Sequence, residues 1–568
     1  MSVPPEAVWG EFTNLPNNLP VAPPVPPQAR VPQGYEPGKS RLVARDLNSD
    51  TYANPDGSHA VRIDASPRNV EVSPGRFEPA DLSLVQAAEA DVPEAGRSGE
   101  ALKPGLRPVR HALAPVFSAD GTGGLVALRR AEVSVRMEAA EGGPRKAPTK
   151  VPGTPGVRFE DASEASDVQY EMTAGSVKET IFVQDRAAAG DGVWSFWVDV
   201  RNGSLRLDAD GGVSAVNASG ETAMRMPIPY IEDSSSVPGV RGPADVNGRY
   251  TISRVSGRWL VQVHVATGWL DAPQRVYPVL VDPTWVAPGY DKVVAYKSDG
   301  TSNADGQIRI GSPDGHSWRT VMHWKYEQYL PAKVNIASAE VDYQYLAGDT
   351  TSRTAYLARA GSWSYSHYLY GLGSGPLGAG TLKLTDSRIT NEFRTLFNNN
   401  EHNAGYMVSG TESSTTYTYK RIDASLWLGL NYTANSATLH EPANGATGQR
   451  VEPLLRASAT DPDGDDQIYY YFRVSENPNP DVAPVVNQFG TYGGGSLRIP
   501  PRVLKGGTTY YWKVYTRDAC HLVENPCGYG RTFHNESPVR SFTTNQPPDA
   551  LSGQNTTPSG TLATLTRR

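Results

Sequence analysis

The feature that most constrains this chain is a two-residue alternation of apolar side chains, interrupted again and again by Gly, Pro and Asp. In GVWSFWVDVRNGSLRLDADGGVSAV (residues 192–216), Trp194, Phe196, Val198 and Val200 fall on one side of an extended backbone. Successive side chains of a strand point to opposite faces, so this spacing predicts a strand with one buried face. Asn202-Gly203 follows, a strong short hairpin signal. Leu205 and Leu207 then resume the alternation, and DADGG turns the chain once more. The expectation is a β-meander. RYTISRVSGRWLVQVHVATGWL (249–270) repeats the logic, with Val-Ser-Gly-Arg as its turn. In GGLVALRRAEVSVRMEAA (123–140), Val133, Val135 and Met137 face one way, while Glu132, Ser134 and Arg136 face the other.

VYPVLVDPTW (276–285) carries Val279 and Val281 on one face and Leu280 on the other. A strand apolar on both faces is buried on both sides or lies under a covering layer. Asp282-Pro283 stops its ladder, because proline has no N–H to donate. The stretch reads as the last strand of a first domain. Asp282 has no His or nucleophile near it in sequence, so it reads as architecture.

Composition agrees. The 55 Gly and 46 Pro together make about 18 % of the 568 residues, against roughly 12 % in average usage. With 28 Tyr, 11 Trp and short β-branched runs, the fold class expected is all-β and multidomain. A net charge of −7 argues against a nucleic-acid partner, which normally faces a basic patch. No run of about 18 apolar residues exists, so no membrane span is expected. The first residues, MSVPPEAVWGEFTNLP, lack a basic start and apolar centre. Either a secretory signal was removed or the chain is cytosolic.

Residues 1–39 hold LPVAPPVPPQARVP and read as a Pro-rich leader or linker. Residues 40–286 form the N-terminal β domain, opening on TYANPDGSHAVRIDASP with its Asn-Pro-Asp-Gly turn. Residues 287–435 alternate short strands with Asp-Gly turns, as a jelly-roll-like sandwich does. Within them SRITNEFRTLF is the best short helix candidate. Residues 436–545 give short strands with Trp512 in the middle of one, as in an immunoglobulin or fibronectin type III-like sandwich. Residues 546–568 are a linker or tail, which suggests a chain cut or processed at its C-terminus.

No G-x-S-x-G elbow, H-E-x-x-H helix or P-loop is present, so catalytic residues: none, and no enzyme activity is expected. The acidic cluster DPDGDD (Asp461, Asp463, Asp465, Asp466) offers the oxygen ligands Ca²⁺ prefers, but lacks an EF-hand's downstream Glu. A β-turn with solvated carboxylates is the plainer reading. No other cofactor is implied. Cys520 and Cys527 are the only two cysteines; they form one local disulfide or stay as two thiols, and a zinc set is incomplete. His316, His323 and His367 are scattered and read as packing or surface residues.

The aromatic stretch GSWSYSHYLYGLG carries Trp363, Tyr365, Tyr368 and Tyr370, a candidate platform for stacking sugar faces. On an uninterrupted strand Trp363 and Tyr365 share one face, and Tyr368 and Tyr370 share the other unless a bulge intervenes. One pair is then buried and one exposed.

Taken together, SDTYANPDGSHAVRIDASPRNV, GSVKETIFVQDR and VYPVLVDPTW resemble the N-terminal region of actinobacterial secreted proteins of the RHS/YD-repeat, wall-associated type. Residues 287–435 look like a DNRLRE domain, itself similar to carbohydrate-binding modules. The marks are ADGQIRIGS, then Arg319, Leu330-Pro331 and Ile336-Ala-Ser-Ala-Glu-Val341. ASATDPDGDDQIYYYFRV and GGTTYYWKVYTRD resemble a fibronectin type III repeat. The resemblance covers about 40–545, but no YD repeats and no toxin domain follow. It implies a secreted or cell-surface, non-catalytic binding and display segment of a polymorphic-toxin-like protein. Cell-wall polysaccharide would be its partner, and a downstream shell and toxin would belong to the same polypeptide. The alternatives are a stand-alone carbohydrate-binding adhesin and a polysaccharide-active enzyme with an unrecognised site.

Overall fold

Period-two faces and Gly, Pro and Asp turns produce strands almost throughout. The computed structural model describes residues 34–93, 101–140, 146–163, 166–235, 243–288, 293–331, 334–401, 404–463, 468–490, 495–518 and 534–546. They divide into two compact units, one reaching to Asn431 and one beginning at Tyr432. The architecture is all-β and multidomain, as expected. Among the described residues no helix is long and apolar enough to cross a membrane. Cys520, Cys527, Asp465, Asp466 and most of the Pro-rich leader lie outside the described residues.

The first sandwich stacks an eight-stranded sheet on an eleven-stranded one. Val193–Arg201, Arg258–His264 and Val133–Ala139 are neighbours in the first sheet. They turn Trp194, Phe196, Val198, Val133, Val135 and Met137 into the core. Ser256 and Gly257 both take positive φ, 51° and 86°, and close a tight hairpin with Val255 opposite Arg258.

Asn202-Gly203 does not close the expected hairpin. Val193–Arg201 belongs to the eight-stranded sheet, whereas Gly203–Leu207 pairs with Val213–Asn217 in the other. The chain crosses between layers at Asn202, whose φ is +56°. A Cβ on Gly203 would lie 2.3 Å from the Val216 carbonyl oxygen. The dipeptide therefore serves a corner with a close backbone approach.

Val279–Asp282 pairs with both Ser176–Val183 and Tyr230–Glu232, with Val279 and Val281 fully buried. The ladder resumes after Pro283 at Trp285–Val286, opposite Val177 and Ser176. Asp282 ion-pairs with Lys178 Nζ at 3.1 Å and accepts a hydrogen bond from the Thr284 hydroxyl, which fits a structural part.

The strands of residues 41–64, expected within the N-terminal domain, join the second sandwich instead. Arg41–Arg45, Ser49–Ala53 and His59–Asp64 pair successively and join Lys420–Tyr432, with His59 opposite Leu430 and Ile63 opposite Leu426. Ile308–Ile310, Val334–Gly348 and Thr381–Leu384 complete that side. Val61 and Ile63 point inward beside Leu426, Leu428 and Leu430, so the N-terminal strands are core-forming parts of this sandwich. The facing six-stranded sheet runs Ser302–Asn303, Val293–Lys297, Trp318–Met322, Tyr406–Gly410, Arg353–Ala360, Tyr368–Leu377. Ser387–Asn398 forms the expected helix. Asp386 caps it by accepting the Arg388 N–H at 2.9 Å, and Ile389, Phe393 and Leu396 are buried.

The unit from Tyr432 is a three-on-four sandwich with an added edge. Thr438–Glu441, Leu454–Ser458 and Ser496–Arg498 form one sheet. Val486–Phe489, Ile468–Ser475, Thr509–Asp518 and Arg540–Thr544 form the other, extended by Ala446–Gln449 in parallel pairing. Trp512 is fully buried mid-strand, stacked 6.4 Å from Phe472. The unit is a β-sandwich, as expected from the sequence.

Candidate functional site

Strand pairing sorts the six-stranded sheet of the second sandwich into two faces. Met322, Tyr406 and Arg359 are opposite one another and face the inside, as do Thr320, Val408 and Leu357. Tyr296, Arg319, Ser409, Tyr356 and Ser374 form one outward row, and Val321, Met407, Ala358 and Gly371 form the next. The outward face carries a groove of about 610 Å³ lined by Arg319, Tyr356, Ala358, Tyr368, Met407 and Glu412.

Two bulges in the hairpin of Arg353–Ala360 and Tyr368–Leu377 decide which aromatics reach it. Arg359 is opposite Tyr370, yet Ala360 is opposite Tyr368, leaving Leu369 as the extra residue. The bulge sends Tyr368 and Tyr370 to opposite faces, and the uninterrupted-strand expectation fails there. Tyr368 lines the groove and is 55 % exposed. Tyr370 (47 % exposed) turns to the helix side, where its hydroxyl donates to Glu392 Oε2 at 2.8 Å. Arg359 Nε lies 3.6 Å from Glu392 Oε1. Burial raises the Glu392 carboxyl, with Tyr370 and Arg359 opposing it.

Trp363 and Tyr365 sit on the connecting loop rather than on a strand. Trp363 is 41 % exposed. Tyr365 is fixed to the groove wall. The Arg319 guanidinium stacks 4.4 Å from its ring centre and donates to its carbonyl at 3.1 Å, and its hydroxyl donates to Glu412 Oε2 at 3.2 Å. Arg319 grips Glu412 through two hydrogen bonds, 2.6 and 3.1 Å. Burial pulls the Arg319 pKa down, but Glu412 outweighs it and the net direction is up. Burial also raises the Tyr365 phenol.

The expectation of one buried and one exposed pair thus gives way to three exposed rings and one half-buried ring. Sequence reasoning missed Tyr356, 43 % exposed on the groove rim. RTAYLARA held the signal, since Tyr356 alternates with the buried Ala355 and Leu357. The Arg319–Glu412 fork joins residues 93 positions apart and had no local signal. The face offers flat rings, an apolar floor at Met407 and Ala358, and fixed polar groups at Arg319 and Glu412. That combination suits a ligand with apolar faces and hydroxyl edges.

The other sequence candidates are placed differently. Asp461 accepts the Asp463 N–H at 2.8 Å, and Asp463 accepts the Tyr432 N–H, so both described aspartates of DPDGDD bind backbone N–H groups. Among the described residues no group of three His, Cys, Asp or Glu is placed to hold a metal. His367 Nδ1 meets the Ser362 hydroxyl at 3.1 Å, and His316 lies exposed beside Asp314.

No protein-family model matches the chain, and no curated protein matches it. Among solved structures it is similar to the adhesin domain of Epf from Streptococcus pyogenes, with 7 % identity and a TM-score of 0.15 over 62 % of this chain and 100 % of that one. It is also similar to PNGF-II, with 8 % identity and a TM-score of 0.14 over 60 % and 77 %. A third is the N-terminal CBM22-1–CBM22-2 tandem domain of Xyn10C from Paenibacillus barcinonensis, with 11 % identity and a TM-score of 0.11 over 51 % and 96 %.

Proposed function

We propose that the chain is a non-catalytic glycan-binding segment and that the groove of the six-stranded sheet is its binding face. The carrying observation is that the outward Tyr356 and Tyr368 line one groove with the apolar Ala358 and Met407 and with the Arg319–Glu412 fork, on which Tyr365 is stacked. Sugar C–H faces pack on the rings while hydroxyls meet the polar groups. A rigid fork loses little freedom on binding. The resemblance of the quoted motifs to wall-associated RHS-type proteins supports a secreted or cell-surface setting and a display role, with cell-wall polysaccharide as the partner.

A glycan array with cell-wall polysaccharides tests this. Tyr356→Ala and Tyr368→Ala are each expected to weaken retention about tenfold, roughly 1.4 kcal/mol of lost stacking. Unchanged retention in both variants would remove the groove from the account. Release of reducing ends from a bound polysaccharide would replace the binding reading with the enzymatic one.

A further inference from the structure

The strand Val293–Lys297 ends on a lysine whose side chain is only 1 % exposed. Its Nζ contacts Oδ1 of Asp245, which is 2 % exposed and belongs to the first sandwich. Asp314 Oδ2 lies 3.1 Å from the same Nζ, and Asp299 Oδ2 3.6 Å. The second oxygen of Asp245 accepts two hydrogen bonds, from the Tyr230 hydroxyl at 2.6 Å and Trp318 Nε1 at 2.9 Å. Tyr230, Ala295, Trp318 and Tyr419 close the surroundings as one buried cluster.

We propose that Lys297 and Asp245 condense spontaneously to an intramolecular amide, Nζ to Cγ, which ties the two sandwiches covalently. Four requirements of such a reaction meet here. Amine and carboxyl are held in contact, which replaces a bimolecular encounter. Two fixed donors sit on the oxygen that gains charge when Nζ adds to Cγ. A neighbouring carboxylate, Asp314, is within reach to relay protons. Burial keeps water from the product amide.

The atoms balance without an outside reagent. In the unreacted ion pair, burial lowers the Lys297 pKa, but Asp245 and Asp314 raise it further, so Nζ begins protonated. Asp314 takes one proton and frees the lone pair. Nζ attacks Cγ, and the carbonyl electrons move to Oδ2 under Tyr230 and Trp318. Oδ1 departs as water with two of the three ammonium protons, relayed by Asp314. One proton stays on the amide nitrogen. The positive and negative charges cancel, and nothing is oxidised or reduced.

Intact-mass spectrometry of the denatured full chain tests this, with peptide mapping to locate the link. The expected result is a chain lighter by one water, with the Lys297 and Asp245 peptides recovered as one branched species. Lys297→Arg keeps the cation but cannot form this amide, and is expected to carry its full mass. Asp314→Ala is expected to leave most of the chain unlinked. A wild-type chain at full sequence mass, or a Lys297→Arg chain that also lacks a water, overturns the proposal. The wild-type measurement decides this whether or not the variants fold. Full linkage in Asp314→Ala overturns the relay assignment.

Discussion

Glu179 occupies a core position that its strand pattern reserves for an apolar residue. Val177, Ile181 and Val183 of Ser176–Val183 face the core with it, and it is fully buried opposite Tyr170. Burial pushes its carboxyl up to about 8; the Asp282 charge adds to this, and the Tyr170 hydroxyl opposes it. The folded chain therefore holds a proton that the unfolded chain releases near the ordinary carboxylate pKa of about 4.3. Its contribution to stability is full below that value and is lost as pH rises towards 8. In melting curves from pH 5 to pH 9, Glu179→Gln is expected to stay flatter than wild type between pH 5 and pH 8 and parallel to it above. Parallel curves between pH 5 and pH 8 would show that Glu179 does not titrate this way. The same scale explains what the aromatic stretch hid. Trp363, Tyr365, Tyr368 and Tyr370 were legible as a candidate set, but an extra Leu369 re-aims Tyr370, and a bulge has no signature in aromatic spacing.

Elements were the most legible level. The core faces of Val193–Arg201 and Val133–Ala139, the Ser256-Gly257 hairpin and the Ser387–Asn398 helix follow from period and turn chemistry. Asn202-Gly203 shows the limit. The positive φ that suits a hairpin turn also suits a crossing between sheets, and only the partner strands tell the two apart. The Asn202 side chain also donates to the Glu132 carbonyl at 2.9 Å. Asn202→Val forces a β-branched residue into the left-handed region, and is expected to cost about 1–2 kcal/mol in urea unfolding. Asn202→Gly is expected to lose less. Equal stabilities for both would show that the corner does not depend on left-handed backbone.

At the scale of the whole molecule, the sequence reading places the N-terminal strands with the first sandwich, whereas they pair with the second. Local alternation in Arg41–Asp64 says that strands form; their pairing with Lys420–Tyr432 is a contact across the length of the chain, and no local pattern encodes it. Residues 287–435 expressed alone would leave the Lys420–Tyr432 edge bare where His59–Asp64 belongs. That fragment is expected to aggregate, while residues 32–435 elute as a dispersed, β-rich species. A monomeric, cooperatively melting 287–435 fragment would contradict the pairing.

The glycan-binding proposal rests on the outward face of the six-stranded sheet. Affinity electrophoresis in gels cast with cell-wall polysaccharide tests it most directly, comparing wild type, the Tyr356→Ala/Tyr368→Ala double variant and Tyr370→Phe. Wild type and Tyr370→Phe should be retarded alike and the double variant should run free, because Tyr356 and Tyr368 line the groove whereas the Tyr370 hydroxyl turns away to Glu392. Equal retardation of the double variant, or none of wild type, would contradict the claim.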